Sequence, residues 1–154
     1  MSTAAIADPH VARVEERAAY PERIIYFDGV CVMCNGIVKL LLRLDRNRRF
    51  RYASLQGETA AKMRSEVEDF PEGLDTFVYY RDGEIFTRSH AAFQGARELP
   101  YPYRLFSIFR VVPAFISDPF YRVIAKIRYR LFGKYESPDL CPLPEPEHRG
   151  LFLP

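Results

Sequence analysis

The chain has 154 residues, 48% of them hydrophobic and 27% charged, with ten Tyr, twelve Phe and no Trp. That size and composition fit one packed domain and exclude a disordered or collagen-like chain. A net charge of +2 lacks the positive excess of a protein that lives on nucleic-acid phosphates, and three cysteines are too few for a disulfide-stapled scaffold.

Residues 1–20 contain no apolar h-region, because Asp8, Pro9 and His10 interrupt the only candidate, so they read as a flexible leader and not as a secretory signal. Residues 23–28 (RIIYFD), bounded by Gly29, predict a buried strand. Cys31 and Cys34 follow at once. Residues 36–46 predict a helix apolar over most of its circumference, a pattern that suits cover by protein on most sides. Residues 50–54 (FRYAS) read as a second strand, and 58–70 as a helix ending before Pro71. Residues 76–80 (TFVYY) and 84–89 (EIFTRS) flank an Asp82-Gly83 step, a strong hairpin signal. Ser89 is placed to cap a helix running to Arg97.

Beyond Pro100 the pattern turns helical, over 103–112 and then 118–132. The second of these has Pro119 in its first turn and Gly133 just past its end. The final 17 residues hold five of the twelve prolines and predict an extended tail. No stretch approaches the eighteen or so uncharged residues of a spanning helix, so the chain is expected to be soluble and cytoplasmic, without stable membrane insertion. The expected organisation is a leader over 1–20, one domain with a C-terminal helical extension over 21–137, and a tail over 138–154.

A strand–helix–strand opening implies a right-handed parallel crossover, and the hairpin adds antiparallel strands to the same sheet. The expected class is therefore α/β: a thioredoxin-like sandwich with a mixed sheet, extra C-terminal helices and a proline-rich tail. The element order alone leaves other mixed α/β folds open.

The cysteines fall where the first strand hands over to the first helix. A helix N-terminus offers unpaired N–H groups and about half a positive charge, which stabilises a thiolate. In that arrangement Cys31, the earlier and more exposed sulfur, attacks a substrate disulfide. Cys34, one turn in, then resolves the mixed disulfide. Such chemistry requires no metal or organic cofactor, and its partner is a disulfide-containing protein or a small disulfide. In a reducing cytosol a paired motif is more often catalytic or metal-binding than a staple. Simple burial as small apolar residues and a zinc site completed by Cys141 and His148 are the competing readings. The seven-residue spacing of Cys141 and His148 is wider than structural zinc prefers.

Asp28 stands three residues before Cys31. As a partly buried carboxylate it could relay the proton of Cys34, and as a turn residue it could accept backbone N–H bonds, the second role being slightly favoured. An aspartyl phosphotransfer site is excluded, because Val30 occupies the place of the second aspartate.

The segment IIYFDGVCVMCNGIVKLLLRLDRNRRFRYASLQG, with the later GLDTFVYYRDGEIFTRS and IRYRLFGKYESPDLCPLPEP, resembles the DCC-type thiol–disulfide oxidoreductase family, named for an Asp-x-x-Cys-x-x-Cys motif. That motif is Asp28, Cys31 and Cys34 in this chain, and the resemblance runs from about Ile24 to Pro146. It implies a thioredoxin-like fold and disulfide reductase activity, without naming a substrate. Better-understood thioredoxins place a cis-proline before the third strand, Trp before the first cysteine and Gly-Pro inside the motif. Here those places hold Asp75 and Thr76, Val30, and Val32 with Met33. The redox chemistry carries over, while the docking surface and the potential do not.

Cys141 is expected to pack as a small hydrophobe with Leu140 and Leu143, the alternative being that it folds back and pairs with the motif. His90 is assigned to a helix start, and His10 and His148 to the chain ends. Arg43, Arg46, Arg48, Arg49 and Arg51 read as a solvated cap on a helix C-terminus. The 118–132 helix sets Phe120, Val123, Ile124, Ile127 and Leu131 against Arg122, Lys126 and Arg130. That pattern suits a membrane surface or an acidic partner, but more often a surface helix docked on the core. The favoured function is a thiol–disulfide oxidoreductase of the protein-disulfide reductase type. The alternative is a non-catalytic thioredoxin-like binding module, with or without a Cys-bound zinc, motivated by the aromatic-rich residues 101–135.

Overall fold

The computed structural model describes residues 20–74, 76–136 and 146–154. Its strands are β1 (Arg23–Phe27), β2 (Arg51–Ser54), β3 (Val78–Arg81), β4 (Glu84–Thr87) and β5 (Phe152–Leu153). Its helices are α1 (Val32–Leu44), α2 (Glu58–Glu66), α3 (Arg88–Ala96) and α4 (Ala114–Phe132), with 3-10 segments at Tyr103–Val111 and Pro146–Leu151. The strands make one mixed sheet in the order β4-β3-β1-β2-β5. Central β1 pairs in parallel with β2 and antiparallel with β3, and β3 turns into β4. This is the expected α/β architecture, of thioredoxin-like class.

The central strand is apolar throughout because both of its faces are covered. Ile24 and Tyr26 point into one core with Met63, Val67 and Phe70, on the α2 side. Ile25 and Phe27 point into the other, with Val38, Phe50, Tyr79 and Ala91, on the side of α1 and α3. Alternation of period two then requires an unbroken run of hydrophobics. The β3–β4 turn has positive φ at both Asp82 (48°) and Gly83 (90°), the backbone that a two-residue hairpin needs.

Several expectations change in detail. Helix α1 starts at Val32 instead of residue 36, because the Cys31 side chain serves as its cap. It is covered on one side only: Cys34, Asn35 and Val38 are buried, but Ile37 and Leu40 are exposed. Helix α2 stops at Glu66, and the 103–112 segment winds as a tighter 3-10 helix. Helix α4 begins at Ala114, behind Pro113, so Pro119 lies inside it and not in its first turn. Gly133 ends α4 at φ 88°, as expected of a glycine at that place.

The extended-tail expectation also needs correction at its far end. Phe152 and Leu153 pair in parallel with Tyr52 and Ala53, Leu151 is buried, and the Pro154 carbonyl accepts the Thr59 N–H at 2.7 Å. The prolines at 142, 144 and 146 stand before this stretch and Pro154 after it, which leaves GLFL free to join the sheet edge. Cys141 lies outside the described residues.

Candidate active site

The chain leaves β1 at Phe27, turns through Asp28 and Gly29, and enters α1 at Val32. Cys31 is therefore the N-cap of α1, and its Sγ accepts the Cys34 N–H at 3.3 Å. A sulfur here takes the place that a Ser or Asp oxygen usually fills, among the unpaired N–H groups of the first turn. Asn35, also buried, ties the turn from behind by donating to the carbonyls of Gly29 and Cys31, each at 3.0 Å. Both cysteines are free thiols.

Their exposure is the reverse of the expected order. Cys31 is fully buried at 0%, and Cys34 is 8% exposed. Cys31 is roofed by the segment after α4: it bridges to Lys134, and the Tyr135 N–H donates to the Val30 carbonyl at 2.8 Å. The sequence put the earlier cysteine nearer to solvent because it counted only the loop and helix, not a chain returning from a hundred residues away.

Asp28 is 2% exposed and saturated with donors. Its Oδ1 accepts the Val30 N–H at 3.1 Å and the Gln56 side-chain amide at 2.9 Å. Its Oδ2 accepts Arg128 Nη2 at 2.9 Å and the Tyr129 hydroxyl. Gln56 is held in turn by Ser54 and by the Gly29 N–H, which both donate to its Oε1. The turn-shaping role foreseen for Asp28 is thus present, with an ion pair added.

Arg128 joins the carboxylate to the sulfur. It is 3% exposed, and its Nη1 lies 3.8 Å from Cys34 Sγ while Nη2 bonds Asp28. Burial pushes the Cys34 thiol well above the ordinary cysteine range, and its hydrogen bond with Cys31 adds to the shift, while the Arg128 charge opposes it. Burial likewise pushes the Tyr129 hydroxyl up to about 12, helped by its bond to Asp28. Burial works against the charge of Arg128. Its bond with Tyr129 and the neighbouring sulfurs outweigh that, so the guanidinium stays charged. A cation facing the Cys34 sulfur lowers the cost of forming its thiolate.

An apolar cavity of about 180 Å³ opens beside this cluster between α1, α3 and α4. Ile37, Leu41, Phe77, Leu99 and Ile124 form walls, and Cys34, Arg128 and Asp28 supply the polar end. Of the two cysteines it is Cys34 that lines it. Arg128, Tyr129, Gln56 and Asn35 were not singled out from the sequence. The one available signal was that Arg128 and Tyr129 fall within the family-like segment IRYRLFGK. Among the described residues, no three His, Cys, Asp or Glu side chains come together as a metal site, and His148 sits in the Pro146–Leu151 segment beside Glu147.

Fold and site together define a protein of thioredoxin-like class with a Cys-x-x-Cys pair at the strand–helix junction. Residues 25–134 match the family described as DCC1-like thiol-disulfide oxidoreductase, and the chain belongs to that family. It is similar to uncharacterized protein YuxK of Bacillus subtilis (strain 168), 39% identical over 134 residues that cover 87% of this chain and 96% of that protein. It is also similar to the DCC family protein At1g52590, chloroplastic, of Arabidopsis thaliana, 33% identical over 119 residues, covering 76% and 69% respectively. No solved structure matches the chain.

Proposed function

We propose that the protein reduces disulfides by dithiol–disulfide exchange, with Cys31 as nucleophile and Cys34 as resolving thiol. The observation that carries this reading is the Cys31 sulfur at the N-cap of α1, accepting the Cys34 N–H at 3.3 Å. The Cys31 thiolate attacks one sulfur of a substrate disulfide; a Cys31–substrate bond forms, and the other substrate sulfur leaves and takes up a proton. Cys34 then loses its proton beside Arg128 and attacks Cys31 Sγ. A Cys31–Cys34 disulfide forms, and the second substrate thiol departs. Two electrons pass from the protein to the substrate, and an external dithiol restores the pair. Because Cys31 has no exposure, its attack requires local opening of the turn.

A second assignment is favoured by one observation: Cys34, not Cys31, lines the open cavity. The single-cysteine variants separate the two. With a model protein disulfide and dithiothreitol, Cys31→Ser is expected to fall to the uncatalysed rate, and Cys34→Ser to trap a mixed disulfide through Cys31, read by mass spectrometry. Trapping by Cys31→Ser through Cys34 instead reverses the roles. Full activity of Cys31→Ser, or no wild-type activity across several disulfides, overturns the catalytic reading in favour of a binding module.

A further inference from the structure

Helix α4 carries three stripes at 3.6 residues per turn. One meets the body of the protein and is small or polar. Ser117 and Asp118 bond to Ser89, Tyr121 accepts the Phe77 N–H at 2.8 Å, and Arg128 holds Asp28. A second stripe, with Phe120, Val123, Ile127 and Leu131, is exposed. A third is basic and also exposed: Arg122, Lys126 and Arg130. The sequence pattern favoured docking of the apolar stripe on the core, and the structure turns it outward instead.

The preceding 3-10 segment behaves in the same way. No residue of Tyr103–Val111 is buried, although Leu105, Phe106, Ile108 and Phe109 lie within it. Among the described residues, all but three of the exposed large hydrophobic side chains fall between 101 and 132, the others being Ile37, Leu40 and Leu74. Ile37 and Ile124 belong both to this exposed set and to the cavity wall, so the apolar face runs into the mouth of the cavity. Charge is as lopsided as polarity. Residues 101–134 hold seven basic residues, of which Arg128 is buried against Asp28, and one acid, Asp118, which is turned inward to Ser89 and Arg88; the chain as a whole is only +2.

We infer that this face docks peripherally on an anionic lipid surface, with Phe120, Leu131 and the 3-10 hydrophobics in the headgroup–acyl boundary and Arg104, Arg110, Arg122, Lys126 and Arg130 against the phosphates. An apolar stripe bordered by cations is the composition that binds a bilayer interface. A patch of this kind on a water-facing protein marks a binding surface. Charge decides between occupants: a second copy of the chain would set the same cations against each other, whereas acidic headgroups complement them. No helix among the described residues is long and apolar enough to span the membrane, so docking is peripheral. The inference does not depend on the redox reading.

The test is sedimentation of the whole 154-residue chain with vesicles of phosphatidylcholine alone or mixed with phosphatidylglycerol. Binding is expected to the mixed vesicles, to weaken with salt, and to be much weaker to the neutral ones. Phe120→Asp and the pair Arg122→Glu with Lys126→Glu should each lower it by about tenfold or more. Their circular dichroism melts and their rate of reducing a soluble disulfide should match wild type. Equal binding to both vesicle types, or charge reversal without effect, overturns the anionic-lipid assignment. Absence of vesicle binding together with a wild-type dimer that Phe120→Asp dissociates in sedimentation analysis assigns the face to a second copy instead. Loss of disulfide reduction with vesicle binding intact would fault the proposed chemistry alone.

Discussion

The stripe of α4 that meets the body carries Ser117, Asp118, Tyr121, Ala125 and Arg128, while the stripe facing away carries Phe120, Val123, Ile127 and Leu131. A helix of an ordinary soluble domain has these the other way round. Near the cysteines, the Asp28 carboxylate is buried with four donors bonded to it. On the outer face, large hydrophobic side chains are exposed, and nothing among the described residues covers them. Directed bonds therefore anchor α4, and its hydrophobic surface is left for another use.

Removing the anchor is the most severe way to break this contrast. Arg128→Met strands a buried carboxylate and should lower the unfolding free energy in urea by about 3–5 kcal/mol. Adding Asp28→Asn should return part of that loss, because no buried charge is then left unpaired. A loss below about 1 kcal/mol would place the anchor elsewhere.

Alkaline pH probes the same buried cluster. The raised Cys34 thiol favours the protonated form in the fold, so its contribution to stability is complete below the free-thiol value of about 8.5 and is lost as pH rises beyond it. Tyr79 and Tyr129, both pushed up to about 12 chiefly by burial, act likewise above their ordinary value of 10. The urea midpoint should thus fall steadily from pH 8 to about 11. In Cys31→Ser, where burial still acts on Cys34, alkylation by iodoacetamide should remain slow at pH 8 and rise about tenfold per pH unit. A midpoint flat with pH would contradict the buried, protonated cluster.

The smallest effect belongs to the outer face. Phe120→Ser should change stability by no more than about 0.5 kcal/mol, since the ring is already in water. Phe50→Ser, at a ring with no exposure, should cost about 3 kcal/mol or more. Similar losses at both positions would mean that Phe120 packs against something, and the contrast would fail.

Much of the fold was legible because its signals are local. The RIIYF run, the Asp82-Gly83 turn and Gly133 each report a backbone requirement within a few residues of themselves. The Cys31 and Cys34 pair was legible for the same reason. Helix α1 began four residues early because a thiol is not a usual capping side chain, so no cap signal marks residue 31. Strand β5 was hidden by proline density, although the prolines lie on either side of it. Arg128 carried no mark of its own: it sits among Arg122, Lys126 and Arg130 in sequence, and only the packing of α4 selects it as the buried one. The outward turn of the apolar stripe was illegible for a related reason, since periodicity shows that a helix has a face but not which way it points.

The partners of the cysteine turn lie far along the chain: Arg128 is 100 residues after Asp28, Tyr129 is 101, and Tyr135 closes over Val30. That separation imposes an order on folding. Strands β1 to β4 and the first three helices are complete by residue 96, well before the guanidinium or the roofing segment exists as chain. Long-range closures of this kind form late, after the loop entropy has been overcome. During synthesis the two thiols therefore spend an interval without the Lys134 bridge and without their cation, open to oxidation. Closure over the cysteine turn thus comes late, and an oxidant present during refolding should trap a species with β1 to β4 formed and its cysteines already joined.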